Sequence, residues 1–176
     1  MFAMSVPRWR STGSRTSRSC RSGEAMSAVR LAAAADLPAI LSLYAQLSPG
    51  DLLPDAIAAE ATWKRMLTSD MMSVHVAEFE GAVAATCVLI VVPNLTRNQR
   101  PFALIENVVS AAALRGRGLG KTVIQAAVAH AFSLDCDKVM LMTGRSDPAV
   151  LGFYEACGFQ RGKTAFQIRN PAQPPR

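Results

Sequence analysis

The residues best suited to chemistry gather at a glycine-rich segment, Arg115-Gly116-Arg117-Gly118-Leu119-Gly120-Lys121. It follows a stretch, residues 102–110, that reads as a strand carrying Ile105, Val108 and Val109. It opens a helix over roughly 119–134, with Val123, Ile124, Ala127, Val128, Ala131 and Phe132 on one apolar face. Three glycines at alternate positions let backbone amides converge without obstruction by side chains. The first amides of a helix have no internal partner, and the helix dipole adds partial positive charge there. Together these make a nest for an anion, above all a phosphate. Arg115, Arg117 and Lys121 surround it with positive charge. The bland counterpart is a tight strand-to-helix turn with a solvated basic rim. Spacing excludes two other phosphate-binding loops. A dinucleotide fold needs G-x-G-x-x-G with an acidic residue ending the next strand, whereas Met142-Thr143 stands there. A Walker loop needs one more residue between Gly116 and Gly120.

Other reactive side chains point to less. Cys20, Cys87, Cys136 and Cys157 show no CxxC spacing, and His75 and His130 are isolated, so no metal is expected. Three of the cysteines fall in segments read as strand or helix and behave there as small buried hydrophobes. A reducing, cytoplasmic setting follows.

The elements that must hold the glycine turn can be read along the chain. A short strand at 28–33 leads to Asp36, which can cap a helix over 37–47. Asp55 can cap a second helix over 56–68. Strands at 74–79 and 83–92, joined by Glu80-Gly81, read as a hairpin. A polar loop with Arg97 and Arg100 then precedes the strand at 102–110, and those arginines are candidates for recognising an anionic acceptor. After the long helix come a strand at 138–142 and a helix from Asp147-Pro148 to about Cys157, stopped by Gly158. A last strand is expected from Phe159 through 167–169. Hairpin and crossover connections together call for an α/β fold of the mixed α+β kind. Its central mixed, mostly antiparallel sheet carries helices on both faces.

Composition supports one domain of about 26–170. The chain has 176 residues, half of them hydrophobic, and no apolar run near the ~20 residues a membrane helix needs. Net charge is +6, but Arg8, Arg10, Arg15, Arg18 and Arg21 face only Glu24 in residues 1–25. That Ser- and Arg-rich stretch reads as a disordered tail, or as sequence preceding a true start at Met26. Residues 171–176 read as a C-terminal tail. The basic charge therefore belongs mostly to the tail, and neither nucleic acid nor membrane is an expected partner.

Arg115-Gly116-Arg117-Gly118-Leu119-Gly120 matches R/Q-x-x-G-x-G/A, and Phe153-Tyr154-Glu155-Ala156-Cys157-Gly158-Phe159 matches F-Y-E-x-x-G-F at the expected distance downstream. In this pair of ordered motifs the chain resembles the GNAT superfamily of N-acetyltransferases from about Val29 to Arg169, and the resemblance implies the acyl-CoA N-acyltransferase fold. The segments 105–109, 137–141 and 166–169 are most similar to its glucosamine-6-phosphate acetyltransferase-like branch. Asn107 departs from the acidic pair that this branch usually carries at 106–107.

The resemblance implies acetyl-coenzyme A as co-substrate, with no metal. Backbone amides of Gly116 to Lys121, including Gly118, Leu119 and Gly120 and flanked by Arg115 and Arg117, would take its pyrophosphate. Asn107, Val108 and Val109 would run beside the pantetheine arm and hold the thioester carbonyl. Asp147 stands where many relatives have asparagine. Tyr154 matches a tyrosine that protonates the departing thiolate. Direct attack by a neutral amine needs no protein nucleophile. Glu106 is then the candidate base, unless it is a structural carboxylate bonded to nearby backbone. The expected activity is acetyl transfer to the primary amine of a small molecule. Peptide or protein N-acetylation, or an inactive acyl-CoA-binding regulatory module, are the alternatives, and the resemblance allows a homodimer.

Overall fold

Runs rich in Val, Ala and Ile build five strands: β1 (Val29–Leu31), β2 (Met72–Phe79), β3 (Ala82–Val92), β4 (Phe102–Ser110) and β5 (Val139–Leu141). Four helices lie between and after them: α1 (Leu37–Leu47), α2 (Ala56–Leu67), α3 (Leu119–Ser133) and α4 (Pro148–Ala156). This is a computed structural model in which residues 28–52 and 54–172 are described. The arginine-rich tail expected at 1–25 lies outside them.

The strands form one sheet in the order β1-β2-β3-β4-β5. Neighbours are antiparallel except β4 and β5, which run parallel and are joined across the sheet by α3. The expected hairpin is present. Phe79 pairs with Ala82, and both turn residues, Glu80 and Gly81, have positive φ, as a tight two-residue turn requires.

Strand alternation divides the interior between two faces. On β3, Cys87 and Leu89 belong to the cluster that Val123, Ile124, Ala127 and Ala131 of α3 complete. Val88, between them, belongs with Ile40 of α1 and Trp63 of α2 on the other face. Helices thus cover both faces of a mixed, mostly antiparallel sheet, as the sequence predicts.

Two local expectations need correction. Asp55 caps α2 as foreseen, accepting from the amides of Ile57 and Ala58 at 3.0 and 3.1 Å. Asp36 does not cap α1. It sits in a short 3-10 turn, accepts from the Ala33 amide at 2.7 Å and takes a two-pronged ion pair from Arg30 at 2.6 and 2.9 Å. A nearby guanidinium outcompetes a helix end for a buried carboxylate. The last strand, expected from Phe159 through 167–169, does not form. Residues 159–170 are irregular, and Phe166 and Ile168 are 93% and 97% exposed. Alternation is present there, but a strand needs a partner, and β5 offers an edge only three residues long.

Candidate active site

The site begins where β4 bulges. Thr86 of β3 faces Val109 and Val88 faces Glu106, so one β3 residue lies opposite Asn107 and Val108 together. Asn107 takes up the extra length with φ +52°, a left-handed conformation that asparagine tolerates better than most residues. On the other side, pairing of β4 with β5 ends at Ile105 opposite Leu141. Among the described residues β4 has no strand partner on its β5 side beyond that point. A gap therefore opens along residues 106–110, with backbone donors and acceptors on its wall.

At the end of β4 the glycine turn has the conformation its composition implies. Gly116 and Gly118 have φ +79° and +81°, and Gly118 is the N-cap of α3. The first helical bond runs from the Thr122 amide to the Gly118 carbonyl at 2.9 Å, leaving the preceding amides without intrahelical partners. Gly120 serves differently. A Cβ there would meet Ser110 Oγ at 3.0 Å and Phe153 Cζ at 3.3 Å, so its lack of a side chain lets α3 start against both β4 and α4. Leu119 buries its side chain in the core, so only its backbone faces the turn's function. Arg115, Arg117 and Lys121 are exposed, and the Arg117 guanidinium lies 4.9 Å from the Phe79 ring centroid.

Tyr154 and Glu106 approach this gap from α4 and β4. Tyr154 is half-buried, with its ring edge-on to Phe153 at 5.2 Å and to Phe159 at 6.4 Å. Burial pushes its phenol above the ordinary range, as does Cys157. Arg145 pulls the other way, and the Glu106 carboxylate pushes it further up. Among the described residues Glu106 makes no side-chain hydrogen bond, so no backbone partner occupies it. Asp147 is committed locally: its carboxylate accepts from the Ala149 amide at 2.8 Å and caps α4.

A cavity of about 280 Å³ adjoins the bulge, lined by Leu41, Tyr44, Ser48, Asp51, Pro54 and Asn107. Helical spacing along 37–47 puts Tyr44 in line with Leu37, Ile40, Leu41 and Leu47, and such spacing cannot separate a packing ring from one that lines a cavity. The loop with Arg97 and Arg100 is elsewhere. It precedes β4, at the opposite end of that strand from the glycine turn, and Arg100 pairs with Asp135 at 3.4 Å. Another cavity, about 330 Å³ and lined in part by Asp70, Met72, Ser73 and His130, lies at the far end of α3. Among the described residues no three His, Cys, Asp or Glu side chains come together as metal ligands. None of the described helices is long and apolar enough to cross a membrane.

The Acetyltransferase (GNAT) family matches residues 37–159. Glucosamine 6-phosphate N-acetyltransferase 1 of Oryza sativa subsp. japonica is 37% identical over 122 residues, which are 68% of this chain and 72% of that protein. A solved structure assigned as an acetyltransferase from Agrobacterium tumefaciens str. C58 is 49% identical with a TM-score of 0.79, covering 81% of this chain and 99% of that one. The crystal structure of glucosamine-6-phosphate N-acetyltransferase from Arabidopsis thaliana superposes with a TM-score of 0.70 at 25% identity, covering 84% and 99%. The chain belongs to the GNAT family and is an acetyl-coenzyme A-dependent N-acetyltransferase.

Proposed function

We propose that the acceptor is a phosphorylated amino sugar, with glucosamine 6-phosphate the first to test. The observation that carries this is the 37% identity to a glucosamine 6-phosphate acetyltransferase, and the cavity at Asn107, one residue from Glu106, offers an acceptor a place. The glucosamine 6-phosphate acetyltransferases among the relatives support it.

In this reading the amides from Gly116 to Lys121 hold the coenzyme's pyrophosphate, with Arg115 and Arg117 beside it. Asn107, Val108 and Val109 hydrogen-bond the pantetheine arm as an added strand would. Asp147, occupied as a cap, borders the arm without supplying its carboxylate. Glu106 takes a proton from the acceptor ammonium, directly or through water. The freed amine attacks the thioester carbonyl carbon, and β4 amides stabilise the oxyanion. The carbon–sulfur bond then breaks as Tyr154 gives its phenolic proton to the leaving thiolate, and the surplus proton on the acylated nitrogen passes to the phenolate, leaving a neutral amide and a neutral tyrosine. The phenol is protonated at neutral pH, so its proton is in place for the thiolate.

The same proposal places the protein in the cytoplasm, with residues 26–170 as its domain. It requires no metal, nucleic acid or membrane. It also pairs the chain with a second copy, which would cover Phe166, Ile168 and the outer edge of β5. Light scattering at micromolar concentration should then give twice the monomer mass, and a monomer would remove that part. The central test follows thiol release by the purified chain from acetyl-coenzyme A with a panel of amines. Glucosamine 6-phosphate should turn over fastest. A better rate with aminoglycosides, polyamines or peptide N-termini would replace the acceptor named here.

A further inference from the structure

We infer, resting on the coenzyme site proposed above, that Phe79 is a positioning residue for the coenzyme. Its ring seats the Arg117 guanidinium beside the phosphate nest, so that this cation is held in place before the ligand arrives.

Three observations converge on this pair. The Arg117 guanidinium lies over the Phe79 ring, 4.9 Å from its centroid, within the range of a cation–π contact. Arg117 stands between Gly116 and Gly118, whose left-handed conformations shape the nest. Phe79 comes from a different element and is itself held. It ends β2 in register with Ala82, is half-buried and packs against the core cluster that α3 completes. The hairpin it belongs to is tied to the end of β4. Ala85 pairs there with Ser110, and the Ala111 amide donates to the Ala84 carbonyl at 2.8 Å. Seat and nest therefore share one corner of the sheet. By contrast, the Arg115 and Lys121 side chains make no hydrogen bond, ion pair or ring contact among the described residues.

Fixing an arginine removes rotamer freedom, and a ligand that must do the fixing binds more weakly for it. A ring beside the guanidinium removes part of that cost in advance. It does so without using up the groups a phosphate needs. The ring engages one side of the guanidinium, whereas the five N–H donors fan out over a wide arc. Arg117 makes no side-chain hydrogen bond or ion pair among the described residues, so those donors stay available. The gain has a ceiling. An exposed cation–π contact changes an equilibrium constant by a factor of roughly two to five, and Phe79 contributes no more than that.

Titration calorimetry of the full chain with coenzyme A tests this. Arg117→Ala should weaken binding about tenfold. Phe79→Leu, which keeps an apolar side chain against the core and removes the ring, should weaken it about threefold while acceptor KM stays near the wild-type value. Phe79→Tyr restores a ring and should bring the dissociation constant back to within about 1.5-fold of wild type. In the Arg117→Ala background Phe79→Leu should have no further effect, because the ring then has no cation to seat. Unaltered coenzyme affinity in either single variant would overturn the inference. A loss in Phe79→Leu that persists in the Arg117→Ala background, or that Phe79→Tyr does not recover, would do so too, since either marks a packing role. Gly118→Asp keeps the two readings apart. If it blocks binding while Phe79→Leu does not alter it, the nest stands and the seat falls. If Gly118→Asp also leaves affinity unaltered, both fall.

Discussion

Gly120 faces Ser110 across the start of α3 so closely that a Cβ on it would lie 3.0 Å from the Ser110 hydroxyl oxygen. Gly118, two residues earlier, has open space around it but a φ of +81°. The two glycines are thus required for different reasons, and substitutions should separate them. Gly118→Ala meets only backbone strain of about 1 kcal/mol, a modest fall in melting temperature. Gly120→Ala must push back Ser110 and the Phe153 ring, costing about 1–3 kcal/mol. Aspartate at either position adds negative charge to the nest and should weaken coenzyme binding at least tenfold by titration calorimetry. Unaltered coenzyme affinity in both aspartate variants would remove the nest from the mechanism.

Tyr154→Phe keeps the ring that packs against Phe153 and Phe159 and removes only the hydroxyl. As the proposed acid it should lower kcat about 100-fold, with the coenzyme dissociation constant changed less than about threefold. Because burial raises the phenol, its deprotonation falls above the ordinary value of about 10. No loss of kcat traceable to Tyr154 is therefore expected between neutral pH and about 9.5. A comparable drop in rate and coenzyme affinity would assign the ring to packing alone.

Much of this was legible in the sequence, for reasons that differ by element. The hairpin followed from a glycine-bearing pair, Glu80-Gly81, between two strand-like runs, although the left-handed φ of Glu80 was not legible. The α2 cap followed from Asp55, which among the described residues has no ion-pair partner to draw it from the helix end. Asp36 looked equivalent but was captured by Arg30, a contact six residues away that helix-end patterns do not encode. The bulge at Asn107 left no signal of its own, since an extra residue in a strand shows only against its neighbour. Tyr44 escaped for a similar reason: its spacing predicts burial, and only the tertiary structure brings it to the cavity beside Asn107 of β4. The C-terminal residues show the converse, an alternating pattern without a strand beside it.

His75 supplies a pH dependence independent of the active site. It is buried on β2, its Nε2 lies 3.2 Å from Nδ1 of His130 on α3, and the Ser73 hydroxyl approaches both rings at 3.2 and 3.5 Å. Burial, with His130 beside it, lowers its pKa from 6.5 to about 4. The folded state therefore binds this proton less readily than the unfolded chain. Stability from the neutral ring is fully present above pH 6.5 and is lost as the pH falls toward 4, by about 3 kcal/mol at most. Asp36, held below its ordinary range chiefly by Arg30, contributes in the same direction, but its loss begins only near pH 3.8, below the His75 window. Urea unfolding at pH 7, 6, 5 and 4.5 should thus show falling midpoints in the wild type. His75→Gln, which cannot titrate there, should start lower and fall less. Parallel curves for the two proteins would mean that His75 does not titrate in this range, and the acid sensitivity would have to come from other groups.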